Sequence, residues 1–400
     1  MRKSNQYTQD ILEYNIEHGT DIFLEYKQKD TTDERKKEIE DFLYNLISER
    51  GEVPKVIWND IEVHKSLCRL SEIRADEIYK NGMYYPNSCG VDVLYHFFPE
   101  LDDVKKKGSP KSIRECLYDE KILRTVIRKT LQYSNNELRL YSKFFWCGAG
   151  NSARFRPTAS KTLYEMYGKK SGCRVLDSSV GYGSEVLGAH FAYNVTEFVG
   201  IDPNTAESCD RFSDFLVNRY DTGTSYKFLK IGSEDFTEES FPEYQNYFDI
   251  FFTSPPYFNT EQYSDDDTQS YKKFPTYLGW IKGFYQETIH NVCNALKSDG
   301  VFCINIFNKI PKIKEITKAF LADNGWYIVK TDTYLMRNLP GVAVVNGERV
   351  PRGNTIYENQ EPVYVAYHYS RLFNDGMIDR EKAFEYKSRA VRDNKCFELS

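Results

Sequence analysis

The chain has 400 residues, 40% hydrophobic and 28% charged, enough for one large domain or two ordinary ones. No stretch approaches the ~20 apolar residues of a membrane span, and the opening MRKSNQYTQD lacks the apolar run of a secretory signal. The net charge of −6 does not by itself mark a nucleic-acid binder. Nine cysteines without a CxxC pair predict reduced, mostly structural thiols in a cytoplasmic protein, and six scattered histidines predict no zinc or other metal site.

The first 145 residues read as a mainly helical N-terminal domain. Thr31-x-x-Glu34 has the form of a capping box, followed by Ile39, Phe42, Leu43, Leu46 and Ile47 at helical spacing. Ser112-x-x-Glu115 opens a second helix carrying Leu117, Ile122, Val126 and Ile127. On that helix Lys121, Arg124 and Arg128 share one face, which either follows DNA phosphates or is an ordinary solvated surface. The stretch from Leu101 to Lys170 holds sixteen Lys/Arg against seven Asp/Glu, a basic segment inside an acidic chain. Residues 81–100 are rich in turn formers and aromatics and have no clear assignment.

Beyond about residue 146 the texture changes. Seven short apolar runs follow, at 173–177, 197–202, 226–231, 248–253, 300–307, 326–334 and 362–368, with helical patterns between most of them. This alternation predicts an α/β, doubly wound domain over 146–372, with a tail at 373–400. A polar loop joins the last two runs, which predicts an antiparallel hairpin closing the sheet edge. Ligands of such sheets bind at the carboxyl ends of the strands.

Three strand ends carry acidic residues. The first run ends at Asp177 and is followed by Gly181 and Gly183, in RVLDSSVGYGSEVLGAHF. Glycines there let a ligand approach the backbone. The two glycines are not followed by the third glycine of a dinucleotide fingerprint, and a carboxylate repels phosphate, so a cationic or hydroxyl-bearing ligand is expected. The second run ends in Asp202-Pro203, placed for ribose hydroxyls, and the third leads to Asp235 and Phe236, an acceptor and a ring for an adenine. Singly, each acidic residue is more often a helix cap. Together they predict a nucleoside cofactor.

The fourth run leads directly into Ser254-Pro255-Pro256-Tyr257. Paired prolines stiffen the turn. The Ser254 hydroxyl and Pro255 carbonyl can accept from an exocyclic amino group, and Tyr257 offers a stacking face.

Taken together, these motifs resemble the S-adenosylmethionine-dependent DNA amino-methyltransferase family, which makes N4-methylcytosine or N6-methyladenine. The resemblance covers about residues 150–370 and implies a Rossmann-like seven-stranded methyltransferase sheet. It implies S-adenosylmethionine held by Asp177, Gly181, Gly183, Asp202, Pro203, Asp235 and Phe236, with Phe155 and Pro157 near the methionine tail. It also implies catalysis at Ser254, Pro255, Pro256 and Tyr257; a serine in first position is the form of the cytosine-N4 subset. The family's D-P-F-x-G-x-G-T is here DSSVGYGSE, without the proline. No large recognition domain follows the last run, so contacts to double-stranded DNA would fall to residues 1–145 and to Arg337, Asn338, Arg349 and Arg352 in the insert 335–361. The expected reaction is direct displacement on a flipped base, without a covalent enzyme intermediate. Adenine N6, RNA or a protein amide remain alternative acceptors, and an inactive methyltransferase-like nucleic-acid-binding module is the alternative outside catalysis.

Overall fold

The computed structural model describes residues 6–52, 60–106, 111–135, 139–150, 152, 154–307, 309–335, 342–345, 348–351 and 360–392. Contacts divide the chain into two interleaved units. One takes the described residues of 1–66, 98–153 and 259–265, the other those of 67–97, 154–258 and 266–400. Residues 67–97 cluster with the α/β unit, and residues 259–265 with the helical one.

The strands are β1 (Tyr79–Lys80), β2 (Met83–Tyr84), β3 (Lys105–Lys106), β4 (Cys173–Asp177), β5 (Val195–Ile201), β6 (Ser225–Leu229) and β7 (Phe248–Thr253). After these come β8 (Glu261–Gln262), β9 (Leu296–Asn305), β10 (Trp326–Leu335), β11 (Val342–Val345), β12 (Glu348–Pro351) and β13 (Gln360–His368). All seven predicted runs are strands of one sheet. Its order is β1-β2-β10-β13-β9-β7-β4-β5-β6. Strands β6, β5, β4, β7 and β9 pair in parallel, and β13 runs antiparallel to both β9 and β10.

The sheet has nine strands where seven were expected. The extra pair is a two-residue hairpin around Asn81 and Gly82, both left-handed at φ 52° and 79°. Asn-Gly is the preferred pair for such a turn, because both positions need positive φ. Strand β2 then pairs in parallel with the outer side of β10. The antiparallel β10–β13 pair therefore lies inside the sheet, not at its edge.

Central strands are buried on both faces, which is why they read as continuous apolar runs. Leu176, Val199, Phe251 and Phe302 join Trp280, Phe284, Trp326 and Phe320 in one core. Helix Pro157–Tyr167 crosses helix Ser184–Phe191 closely. A Cβ at Gly188 would come within 2.1 Å of Ser160 Oγ and 2.8 Å of the Lys161 backbone nitrogen, so only glycine permits that approach.

The other unit is helical, with Ile39, Leu43 and Ile47 packed against Leu123, Val126, Ile127 and Phe144. Helix Asp33–Arg50 is capped by Thr32, one residue after the expected Thr31, whose hydroxyl instead donates to the Glu25 carbonyl. The Ser112/Glu115 capping box forms, but its helix stops at Leu117; Asp119 caps a separate helix, Glu120–Tyr133. No described helix is long and apolar enough to cross a membrane.

Candidate active site at the carboxyl edge of the sheet

From β4 the chain winds outward through β5 and β6, and from β7 in the opposite direction to β9. The ends of β4 and β7 therefore form the topological switch point, where open α/β sheets have their ligand crevice. The two strongest sequence motifs follow these two ends.

After β4 the turn bends through Gly181 and Gly183 at φ 53° and 74°, and Gly183 caps helix Ser184–Phe191. A side chain at either position would be strained. The Gly181 amide donates to Asp202 Oδ2 (3.1 Å), and the Thr205 hydroxyl donates to the Gly181 carbonyl (2.5 Å). Asp202 Oδ1 accepts from the amides of Asn204 (2.9 Å) and Thr205 (3.0 Å). Asp202 thus ties the glycine turn to the end of β5, and the adjoining Pro203 is partly exposed.

Asp177 is fully buried. Its Oδ1 accepts from the Ser179 amide (3.0 Å) and from Thr253 Oγ1 (2.8 Å), while Oδ2 has no partner among the described residues. Burial pushes its carboxyl up to about 7 against these two donors. Glu185, in the first turn of the following helix, is also buried. Its carboxyl is raised by desolvation and by the Asp177 charge, and the Arg154 guanidinium opposes this. Arg154 Nη2 donates to the Tyr95 hydroxyl (2.8 Å), but Nη1 is buried without a partner among the described residues, as are the hydroxyls of Ser178 and Ser184. Buried polar atoms are normally satisfied. Several orphans from residues about one turn mark a place for a polar ligand. The sequence reading missed Glu185 and Arg154.

After β7, Ser254, Pro256 and Tyr257 are half-buried and Pro255 is buried. The Tyr257 hydroxyl donates to the Asn305 carbonyl (2.5 Å), and its ring lies 5.5 Å from that of Phe307. Phe258 takes φ 52°, a strained backbone for an aromatic residue, and packs on Tyr277 and Trp280. Asn305 at the end of β9 donates from Nδ2 to Glu361 Oε2 (2.6 Å) and to Ser254 Oγ (3.4 Å). Neither Asn305 nor Glu361 was singled out from the sequence. Their meeting with Ser254 is a product of β9 lying between β7 and β13.

Other expected site residues are placed differently. Asp235 is exposed and paired with Lys273 (2.8 Å), which also holds the buried Glu234 (2.8 Å). Phe236 is packed in the core against Phe241 and Tyr244, so its ring presents no free face. Phe155 stacks on Tyr334 (4.2 Å) and touches Phe252 (4.6 Å), immediately upstream of the Ser-Pro-Pro-Tyr turn. Pro157 is buried at the first position of its helix. Phe155 builds the wall beside β7. Arg337, Asn338 and Arg352 lie outside the described residues, as does the side chain of Arg349, whose backbone belongs to β12.

In the helical unit much of the basic segment is neutralised internally. Arg124 pairs with Asp41 (2.7 Å) and Glu120 (2.8 Å), and Arg128 with Glu40 (2.9 Å). Lys105, Lys111 and Arg114 pair with Glu115, Asp119 and Asp103. The Arg124/Arg128 face is therefore a contact with helix Asp33–Arg50. In the α/β unit Lys161 is buried on Glu165 and the Ile73 carbonyl.

No known family profile matches the chain, and no curated protein does. Among solved structures, a putative methyltransferase from Thermoplasma acidophilum aligns at 14% identity over 55% of this chain and 76% of its own, with TM-score 0.32. The precorrin-6y C5,15-methyltransferase of Geobacter metallireducens aligns at 14% over 52% and 86%, with TM-score 0.32. The 1,6-didemethyltoxoflavin-N1-methyltransferase of Burkholderia thailandensis, solved with S-adenosylhomocysteine, aligns at 14% over 52% and 76%, with TM-score 0.32. Similarities this distant assign no reaction.

Proposed function

We propose that this chain transfers a methyl group from S-adenosylmethionine to the exocyclic amino group of a DNA base, with cytosine N4 as the first target. The observation that carries this reading is the hydrogen bond from Thr253 to Asp177, which fastens the glycine turn to the Ser-Pro-Pro-Tyr turn across the switch point.

The residues fit the cofactor. Two buried carboxyls, Asp177 and Glu185, suit a ligand with a sulfonium, an ammonium and hydroxyls, and would repel a pyrophosphate. The glycine turn is open, since a Cβ at Gly181 would meet only the Ser179 carbonyl at 3.8 Å. Bound there, S-adenosylmethionine supplies an electrophilic methyl group. The chain's own part is to present the acceptor. Ser254 Oγ and the Pro255 carbonyl lie on one side of the amino group, accept an N–H from it and direct its lone pair. Tyr257, its hydroxyl committed to Asn305, offers a ring fixed in place on whose face a flipped base can stack. The proton released from the nitrogen passes to solvent.

A second acceptor class, a planar protein amide, is favoured by one observation: the expected phosphate-tracking arginines are already paired with carboxylates. Calorimetric binding of S-adenosylmethionine, followed by labelling of duplex DNA, RNA and unfolded protein in parallel, separates the readings. Cofactor binding with label in DNA supports the proposal. Binding with label only in RNA or protein moves the acceptor, and no binding removes the reading.

A further inference from the structure

Around Ser254 the chain holds an amide in one orientation. Asn305 ends β9 beside the end of β7, and Glu361 enters β13 next to it. A carboxylate only accepts, so the Asn305 atom 2.6 Å from Glu361 Oε2 is the amide nitrogen. Its other hydrogen points to Ser254 Oγ at 3.4 Å. Both N–H bonds are thus committed, and the carbonyl oxygen Oδ1 is fixed on the remaining side. That oxygen is buried and has no partner among the described residues. A buried acceptor held in place by two hydrogen bonds, yet without a donor among the described residues, is suited to take an N–H from outside the chain.

We propose that Asn305 Oδ1 accepts one N–H of the substrate's amino group, and that Glu361 is the positioning residue that fixes the amide for this contact. The inference rests on the methyl-transfer reading above and requires that the accepting amino group be primary. Such a group has two N–H bonds, one for the Ser254–Pro255 side and one for Asn305. Transfer forms one N–C bond, breaks the S–C bond of the donor and releases one proton to solvent. The product retains a single N–H and cannot satisfy both sides, so methylation stops after one group.

The test compares wild type with Asn305→Ala, Asn305→Asp, Glu361→Gln and the double variant Asn305→Asp/Glu361→Gln. It reads kcat and KM for methyl transfer to unmethylated duplex DNA, cofactor affinity by calorimetry, and thermal stability. Asn305→Asp sets two carboxylates against each other, and Asn305→Ala removes the acceptor. Each is expected to lower kcat by at least about tenfold, the scale of one lost hydrogen bond, with cofactor affinity unchanged. In the double variant carboxylate and amide exchange places, the acceptor facing the substrate returns, and kcat recovers. Wild-type kcat in Asn305→Ala overturns the inference alone. So does a double variant that regains stability but not kcat, since the pair is then only structural. A wild type that binds cofactor and labels no DNA overturns the underlying reading and the inference with it.

Discussion

Thr253 Oγ1 donates to Asp177 Oδ1 at 2.8 Å, with both side chains excluded from water. The two residues end adjacent parallel strands, and each opens one half of the site. Thr253→Val keeps the shape and removes the donor. Hydrogen bonds to charged groups contribute about 1.5–3 kcal/mol, so cofactor affinity is expected to fall roughly 10- to 100-fold, with Thr253→Ser close to wild type. Calorimetric titration of the two variants checks this; equal affinities would show the bond to be incidental.

Asp177 also sets a pH dependence. An unfolded carboxyl titrates near 3.9, whereas burial lifts Asp177 to about 7. Between these values the folded chain keeps a proton that the unfolded chain has lost, so the stabilising contribution is present at acid pH and is lost as pH rises through about 7. The raised Glu185 acts in the same direction. The ligand-free protein is expected to unfold at lower temperature at pH 8 than at pH 6, and Asp177→Asn to flatten the difference. Cofactor affinity should change oppositely, strengthening as the carboxylate forms. Thermal unfolding and titrations across this range read both signs.

At Tyr257 the ring and the hydroxyl have separate tasks. Tyr257→Phe removes only the bond to the Asn305 carbonyl and is expected to lower kcat/KM several-fold, on the scale of about 1 kcal/mol for a neutral hydrogen bond. Tyr257→Ala also removes the stacking face, about 1–3 kcal/mol per base, and should cost a further factor of roughly 10 to 100. Steady-state kinetics on duplex DNA would contradict this assignment if both variants behaved alike.

Arg124 and Arg128 are engaged with helix Asp33–Arg50. Replacing both with alanine is expected to leave duplex affinity and its salt dependence unchanged. The stability cost should be small, about 0–1 kcal/mol for each partly exposed pair. Fluorescence anisotropy titrations at two salt concentrations decide this. A tenfold loss of affinity would return the face to the DNA.

The parts legible in sequence are those written locally. The seven strands were visible because buried parallel strands are continuous apolar runs, and the glycine and proline turns because their residues have few other uses. Asn81-Gly82 carried a readable hairpin signal, but two-residue strands have too little pattern to confirm it. The network about the site was hidden by distance in the chain. Thr253 lies 76 residues from Asp177, and Asn305 lies 51 from Ser254 and 56 from Glu361. Only the strand order brings them together. Ion pairing was hidden for a related reason: the excess of lysine and arginine over 101–170 says nothing of Asp41 and Glu40, which meet Arg124 and Arg128 from another helix.

The most direct measurement is transfer of labelled methyl from S-adenosylmethionine to unmethylated duplex DNA, with Ser254→Ala alongside and the product hydrolysed to nucleosides. The account predicts label in DNA, recovered as N4-methylcytosine and lost in the variant. Cofactor binding without label in any DNA, or label undiminished by Ser254→Ala, would contradict it.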